Sequence, residues 1–312
     1  MSAIEIRELC KRYGSQTVVE GLSLTVERGA IYGLLGPNGS GKTTTLACAL
    51  GLLRPTSGSS TVLGEPARRI HRLDGRLSVV FDTAIALPGL TARQNLEYLR
   101  RVLGHRRGRT NEEVLEAVGL AEMAKKRVRN LSLGQSKRLA IAGALLGEPE
   151  LLVLDEPLSG LDTMGVRRML GLFRELRNEG MTLLLSSHRL HEMQTVVTHA
   201  GILHGGRIVK GGDLDSLLGR GEGRYRVTVD RAAEARQRID ALPGARVDGE
   251  VRGDDGAPVL EVRLEAATPA ALLNRTLVEA GLEVSSLEAR VETLQSVFEG
   301  LIDLHEAAEG AA

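Results

Sequence analysis

The chain has 312 residues, 42% of them apolar, and its 40 Lys and Arg balance 40 Asp and Glu. Zero net charge removes any global attraction to nucleic acid or to an anionic membrane surface. Three Phe, four Tyr and no Trp leave little for base stacking.

That length suggests about two domains. Cys10 and Cys48 match no metal-ligand spacing and read as buried small hydrophobes of a reducing compartment. Met1-Ser2-Ala3-Ile4-Glu5 does not begin a basic-then-apolar leader, and no apolar run approaches the ~18 residues of a membrane span. The expectation is a cytoplasmic protein whose attachment to a membrane would come through a partner.

In chain order, residues 4–9 and 22–26 alternate apolar and polar side chains, as half-buried strands do. The run from Ala30 to Leu35 reads as a buried strand and that from Thr43 to Leu53 as a helix. Between them stands Gly36-Pro37-Asn38-Gly39-Ser40-Gly41-Lys42-Thr43, followed by Thr44. Strand, glycine-rich loop and helix in this order form the P-loop pattern. Glycines let backbone N–H groups turn inward into an anion nest, and the helix N-terminus adds its positive dipole end. Lys42 can reach the β- and γ-phosphates of a nucleoside triphosphate, and the Thr43 hydroxyl can ligate Mg²⁺.

From Thr91 to Leu146 the pattern is helical, including 94–103 and 135–146, and looks like a helical insertion into an α/β core. The basic cluster Arg100, Arg101, His105, Arg106, Arg107 and Arg109 is interspersed with Glu97, Glu112 and Glu113. Without interleaved aromatics it reads as a solvated face rather than a nucleic-acid site. Leu131-Ser132-Leu133-Gly134-Gln135 has the S-x-x-Q spacing of a capping box, which by itself starts a helix. Leu151-Leu152-Val153-Leu154-Asp155-Glu156-Pro157 is a buried parallel strand delivering two acids to a sheet edge. Beside a phosphate loop, Asp155 can hold Mg²⁺ and Glu156 can orient or deprotonate an attacking water; alone, the pair could merely open a helix. Residues 182–185 form another central strand, running into Ser186-Ser187-His188. His188 and His191 lack a third metal ligand.

Residues 1–218 therefore read as an α/β domain and 219–223, Gly-Arg-Gly-Glu-Gly, as a linker. Residues 224–312 read as a smaller α+β domain: strand 225–229, helix 232–242, strands 245–251 and 259–264 around the turn 252–256, helix 269–280 and strand 282–286. This β-α-β-β-α-β order is the ferredoxin-like arrangement.

The succession of phosphate loop, L-S-L-G-Q, L-L-V-L-D-E-P, Ser159-Gly160-Leu161-Asp162 and Ser186-Ser187-His188 resembles the ATP-binding cassette (ABC) family over 1–218. The resemblance implies a P-loop ATPase core with an antiparallel β subdomain and a helical insertion. It also implies that Tyr13 stacks on adenine, and that Ser132, Gly134 and Gln135 meet the γ-phosphate held by another subunit. His188 becomes the switch histidine at the γ-phosphate, and Asp162 lies in the loop through which two cassettes communicate. Expected cofactors are ATP and Mg²⁺. Expected partners are a second nucleotide-binding subunit, as homodimer or heterodimer, and separate transmembrane permease subunits, with no nucleic acid.

Departures from the family pattern are Asp82, where glutamine is usual, Thr163 where proline is common, and His199 where aspartate is usual. Aspartate offers a charge and only acceptors, so Asp82 could reach Mg²⁺ or its water with a shorter arm. Asp82, the segment Leu90-Thr91-Ala92-Arg93-Gln94-Asn95-Leu96, the L-S-L-G-Q spelling and the C-terminal stretch 291–298 resemble the bacitracin and lantibiotic export branch. The expected function is the ATP-hydrolysing subunit of an exporter of a drug, antibiotic or peptide. The rival is an ABC ATPase of DNA repair, translation or iron–sulfur assembly, which a duplicated cassette or a long coiled-coil insert would mark; this chain has neither.

Overall fold

The computed structural model describes residues 1–81, 86–104, 108–219, 222–253, 256–265, 267–290 and 292–309. Asp82 lies outside the described residues, as do His105 to Arg107 of the basic cluster and parts of the expected linker and of the turn at 252–256. The chain divides into two compact units, Met1–Leu214 and Asp215–Ala312, four residues earlier than the boundary expected from composition.

The first unit opens with β1 (Ser2–Tyr13) and β2 (Gln16–Glu27), antiparallel partners closed by the two-residue turn Gly14-Ser15. Both strands run several residues beyond the expected segments, because a tight hairpin carries the ladder to its very end. β3 (Ile31–Leu35) is buried throughout, as its unbroken apolar run requires of a parallel strand covered on both faces. α1 (Lys42–Ala49) follows and ends four residues before the expected Leu53. Gly51, at φ +67, turns the chain away; a Cβ there would lie 2.4 Å from the Ala67 carbonyl oxygen, so only glycine fits. β4 (Ser57–Val62) pairs with β1, and β5 (Glu65–Pro66) with β4, completing an antiparallel sheet in the order β2-β1-β4-β5.

β6 (Leu77–Val80) leads into the helical stretch of α2 (Ala92–Val102), α3 (Asn111–Ala117) and α4 (Leu133–Ala144). Each of these three helices starts at a complete capping box: Thr91 with Gln94, Thr110 with Glu113, and Ser132 with Gln135. Then come β7 (Leu151–Leu154), α5 (Thr163–Asn178), β8 (Thr182–Ser187), α6 (Leu190–Met193), β9 (His199–His204), β10 (Arg207–Asp213) and α7 (Leu214–Leu217). The central sheet has the order β10-β9-β3-β8-β7-β6, with β9, β3, β8, β7 and β6 parallel and β10 antiparallel at one edge. At the N-terminal end of its strands, Glu150 receives Arg76 Nε at 2.5 Å and Arg28 Nη1 at 2.9 Å. Its carboxyl is held down to about 2, chiefly by the Arg76 hydrogen bond, and the three residues tie together the starts of β3, β6 and β7.

Cys48 is buried, and burial pushes its thiol up. Cys10 departs from expectation: it is only half-buried and its Sγ accepts from Gly21 N at 3.1 Å. On β1, between β2 and β4 and next to irregularities in both ladders, the thiol serves as a weak acceptor rather than as core filling.

The second unit consists of β11 (Glu222–Val229), α8 (Ala232–Asp240), β12 (Ala245–Arg252), β13 (Pro258–Glu265), α9 (Ala270–Glu279), β14 (Val284–Ala289) and α10 (Leu294–Glu309). Its four strands form an antiparallel sheet in the order β12-β13-β11-β14. Val227, Val229, Leu260, Val262 and Leu264 meet Ala235, Ile239, Leu273 and Leu277 in a separate core.

Candidate functional site

β3, β8 and β7 are neighbours in the central sheet. The segments leaving their C-terminal ends therefore gather at one edge, the place where open α/β sheets hold ligands. Gly36 N donates to Ser187 O at 3.1 Å, fastening the loop after β3 to the end of β8. A Cβ on Gly36 would stand 2.2 Å from the Leu203 carbonyl oxygen. Gly41, at φ +102, passes so close to β2 that a Cβ would meet the Val18 carbonyl oxygen at 2.7 Å. Val18 lies two residues past Gln16, the strand partner of Tyr13, so the hairpin end bearing Tyr13 reaches the loop's neighbourhood. Tyr13 itself is exposed, with Lys11 Nζ 4.8 Å from its ring centroid.

Lys42 is buried and folds back on its own loop, donating to Gly36 O at 2.8 Å and Pro37 O at 3.0 Å. Its ammonium also stands 3.2 Å from Glu156 Oε1, outside hydrogen-bond alignment. The Ser40 hydroxyl is buried and makes no hydrogen bond among the described residues. An orphaned donor is costly unless a ligand oxygen completes it, and beside N–H groups at a helix start that ligand is an anion. Asn38 and Gly39 are exposed at the loop tip, and Thr44 is half-buried in the first turn of α1.

The Thr43 hydroxyl donates to Asp155 Oδ2 at 2.7 Å. Asp155 Oδ1 accepts a short bond from Ser186 Oγ, and that hydroxyl oxygen accepts Glu156 N at 2.9 Å. One serine thus fixes both acids. Glu156 has a left-handed backbone, φ +48, a strained conformation for a non-glycine residue that persists where the surroundings impose it. Its Oε2 is 2.8 Å from His188 Nδ1, so a proton on Nδ1 would be donated to the carboxylate. Hydroxyl and carboxylate oxygens 2.7 Å apart are hard donors suited to a divalent cation that retains waters. Among the described residues no group of three or more His, Cys, Asp or Glu is arranged to hold a metal ion.

Lys42, Thr43, Asp155, Glu156 and His188 are thus brought into one network. Ser132 stands apart: its side chain accepts from Gln135 N at 3.2 Å while Gln135 Oε1 accepts Ser132 N at 3.0 Å. Gly134 packs on the Gly160 carbonyl oxygen, 3.0 Å from where its Cβ would be. Asp162 caps α5 through Gly165 N at 2.7 Å. Exposed Leu133 and Met164, 66% and 69% accessible, flank this group. His199 Nδ1 lies 3.1 Å from Thr198 Oγ1 and takes no part in the network. Ser186 was readable only as part of a motif; a hydroxyl in an otherwise apolar buried strand was the signal for its bridging position.

A family model described as "ABC transporter" matches residues 19–159. The bacitracin transport ATP-binding protein of Bacillus licheniformis is 36% identical over 305 residues, 96% of this chain and 97% of that protein. A daunorubicin resistance ATP-binding protein of Streptomyces coeruleorubidus is 36% identical over 304 residues, 95% of each. Among solved structures, an ATP binding subunit of an ABC transporter aligns with TM-score 0.62 and 27% identity over 69% of this chain and 92% of that one. A cbiO1 structure from Clostridium perfringens, titled as part of an ABC transporter complex, aligns with TM-score 0.60 and 26% identity over 69% and 90% of the respective chains. Both curated relatives match nearly the whole chain, whereas the two solved structures cover about two thirds of it, 69% in each case.

Proposed function

The chain belongs to the ABC transporter family and hydrolyses ATP, and from that premise we propose that it powers export of an antibiotic-like molecule through separate membrane subunits. Support for the cargo comes from the two full-length relatives, named for bacitracin transport and daunorubicin resistance. The non-transport alternative has no support among them. Among the described residues no helix is long and apolar enough to cross a membrane, so the passage itself falls to partner subunits.

The observation that carries the mechanism is the network joining Lys42, Thr43, Asp155, Glu156 and His188. Lys42 now satisfies itself on the Gly36 and Pro37 carbonyls and on Glu156. A triphosphate entering the loop draws it onto the β- and γ-oxygens, with Ser40 and the N–H groups of the loop as further donors. Tyr13 offers an aromatic face to the adenine. Thr43 and Asp155 would hold Mg²⁺, which supplies charge neutralisation across the phosphates. Glu156 aligns a water with the γ-phosphorus and takes its proton as the new P–O bond forms and ADP leaves. His188 holds the Glu156 carboxylate from the far oxygen. Asp82 is assigned to the same cation or its water.

The second half of the site comes from a second copy or a similar subunit. Ser132, Gly134 and Gln135 form a helix N-terminus, an anion site in its own right, yet among the described residues the Ser132 side chain bonds only within its own cap. The exposed Leu133 and Met164 beside it are apolar surface that pairing would bury. The β-α-β-β-α-β order and antiparallel sheet of the second unit support a ferredoxin-like accessory domain, with 1–218 as the nucleotide-binding domain.

Glu156→Gln is the test. It keeps the shape of the side chain but cannot accept a proton, so ATP hydrolysis is expected to fall by about 100-fold or more with ATP affinity retained. ATP should then accumulate a stable dimer, visible by size-exclusion chromatography. Undiminished turnover would remove Glu156 from the role of base.

A further inference from the structure

Lys11 lies two residues before Tyr13 on β1, and its ammonium sits over the Tyr13 ring, 4.8 Å from the centroid. The same Nζ donates to the Arg54 carbonyl oxygen at 3.0 Å, in the segment that follows α1. Its charge also reaches Cys48 on α1, where burial pushes the thiol up and the ammonium pulls it partly back. Lys11 thus joins the ring assigned to adenine to the helix that begins at the phosphate loop. The same segment has two further ties to β1 that do not use this side chain. Arg12 N donates to Thr56 Oγ1 at 3.0 Å, and Thr56 N donates to Cys10 O at 2.8 Å. The backbone is fastened there without the ammonium, and what the ammonium adds is its contact with the ring.

We infer that Lys11 is a positioning residue for the base of the nucleotide, holding the Tyr13 ring from one face so that adenine stacks on the other. This rests on the role proposed above for Tyr13. A tyrosine that keeps 49% of its surface exposed would otherwise sample several rotamers, and stacking would have to stop that motion at an entropic cost. A cation over one face is attracted by the ring's quadrupole and restrains the side chain before the base arrives. It also closes that face to the base. The bond from the same ammonium to Arg54 O sets the ring's place relative to α1. Both ends of one ligand then meet groups already set relative to one another: the loop at the start of α1 takes the phosphates, and the tethered ring takes the base. Such preorganisation raises affinity without adding a direct contact to the ligand.

The experiment uses the full chain as the parent, Lys11→Met, Tyr13→Ala and the double variant. Calorimetric titration gives the Kd of each for two probes with Mg²⁺: adenylyl imidodiphosphate, a non-hydrolysable ATP analogue, and inorganic tripolyphosphate, which has no base. Methionine keeps most of the apolar stem of lysine and removes the charge. Lys11→Met is expected to weaken the ATP analogue by about two- to fivefold, the range of an exposed cation–π contact, and to bind tripolyphosphate as the parent does. In steady-state hydrolysis the loss should appear in KM rather than kcat. In the Tyr13→Ala background the same substitution should have no further effect on the analogue. A loss below about twofold for the analogue, or an equal loss for both probes, would overturn the inference. So would an undiminished effect in the absence of the ring, since the ammonium would then act without it. Tyr13→Ala keeps the two failures apart. If that variant binds the analogue as tightly as the parent, the adenine role of Tyr13 falls and the inference with it. If it weakens the analogue and Lys11→Met does not, the inference alone falls.

Discussion

At the residue scale, the site depends on positions where no other side chain fits or where one atom serves two partners. Gly36 is the clearest of the first kind, since its missing Cβ would fall 2.2 Å from the backbone oxygen of Leu203. Gly36→Ala must push the loop away from β9, and overpacking against backbone costs about 1–3 kcal/mol. The expected result is a lowered Tm together with loss of the Tm increase that ATP gives the parent. Gly39→Ala is the comparison: φ is +81 but nothing lies within 4 Å of the added Cβ. It should cost about 1 kcal/mol of backbone strain and keep most of the ATP-induced shift. Equal loss in both variants would show that backbone conformation, not the approach to Leu203, sets the loop. The loop was legible from sequence because glycine spacing around a lysine is itself the chemistry. Ser186 was not, because one hydroxyl in an apolar strand announces burial but not its two partners.

At the element scale, the helical stretch uses one device three times. Thr91, Thr110 and Ser132 each accept the N3 backbone N–H while the N3 side chain returns the bond. The S-x-x-Q spacing at Ser132 was readable as a cap and, by family resemblance, as a phosphate contact, and both rest on the same unpaired N–H groups at a helix start. The two roles separate by comparison. Thr110→Ala and Ser132→Ala should each cost about 1 kcal/mol of stability. Thr110→Ala leaves ATPase near the parent rate, while Ser132→Ala is expected to lower it by about tenfold, the loss of roughly one charge-assisted bond to the transferred phosphate. If both variants lose stability equally and both keep full turnover, Ser132 is a cap and nothing more. Helix ends were the least legible feature. α1 stops early at a glycine whose packing against Ala67 is non-local, and α2 starts earlier than its apolar periodicity because its cap lies outside that periodicity.

At the scale of the whole molecule, the chain forms two units with separate cores. The strand order of the central sheet could not be read from the chain, yet it is what brings residues 42, 155 and 188 to one edge: adjacency of β3, β8 and β7 is decided by packing, not by local pattern. In the proposed reading that edge supplies the loop, cation and base groups of one half of a triphosphate site, whereas the cap at Ser132 lies on a different element and, among the described residues, its side chain bonds only within its own helix. If two copies close head-to-tail, each site takes its loop from one subunit and its cap from the other. Lys42→Ala and Ser132→Ala are then lesions in opposite halves of the site. Each homogeneous variant has two damaged sites. A mixed pair has one site with both lesions and one with neither, so mixing the two impaired proteins should raise hydrolysis above that of either alone. With random pairing, half of the dimers are mixed and each has one intact site of two, giving up to about a quarter of the parent rate. The check is a titration of one variant into the other at fixed total protein, with ATPase peaking near equal proportions. Activity that never exceeds the sum of the separate variants would mean that the cap acts within its own chain, and the head-to-tail arrangement would fall with it.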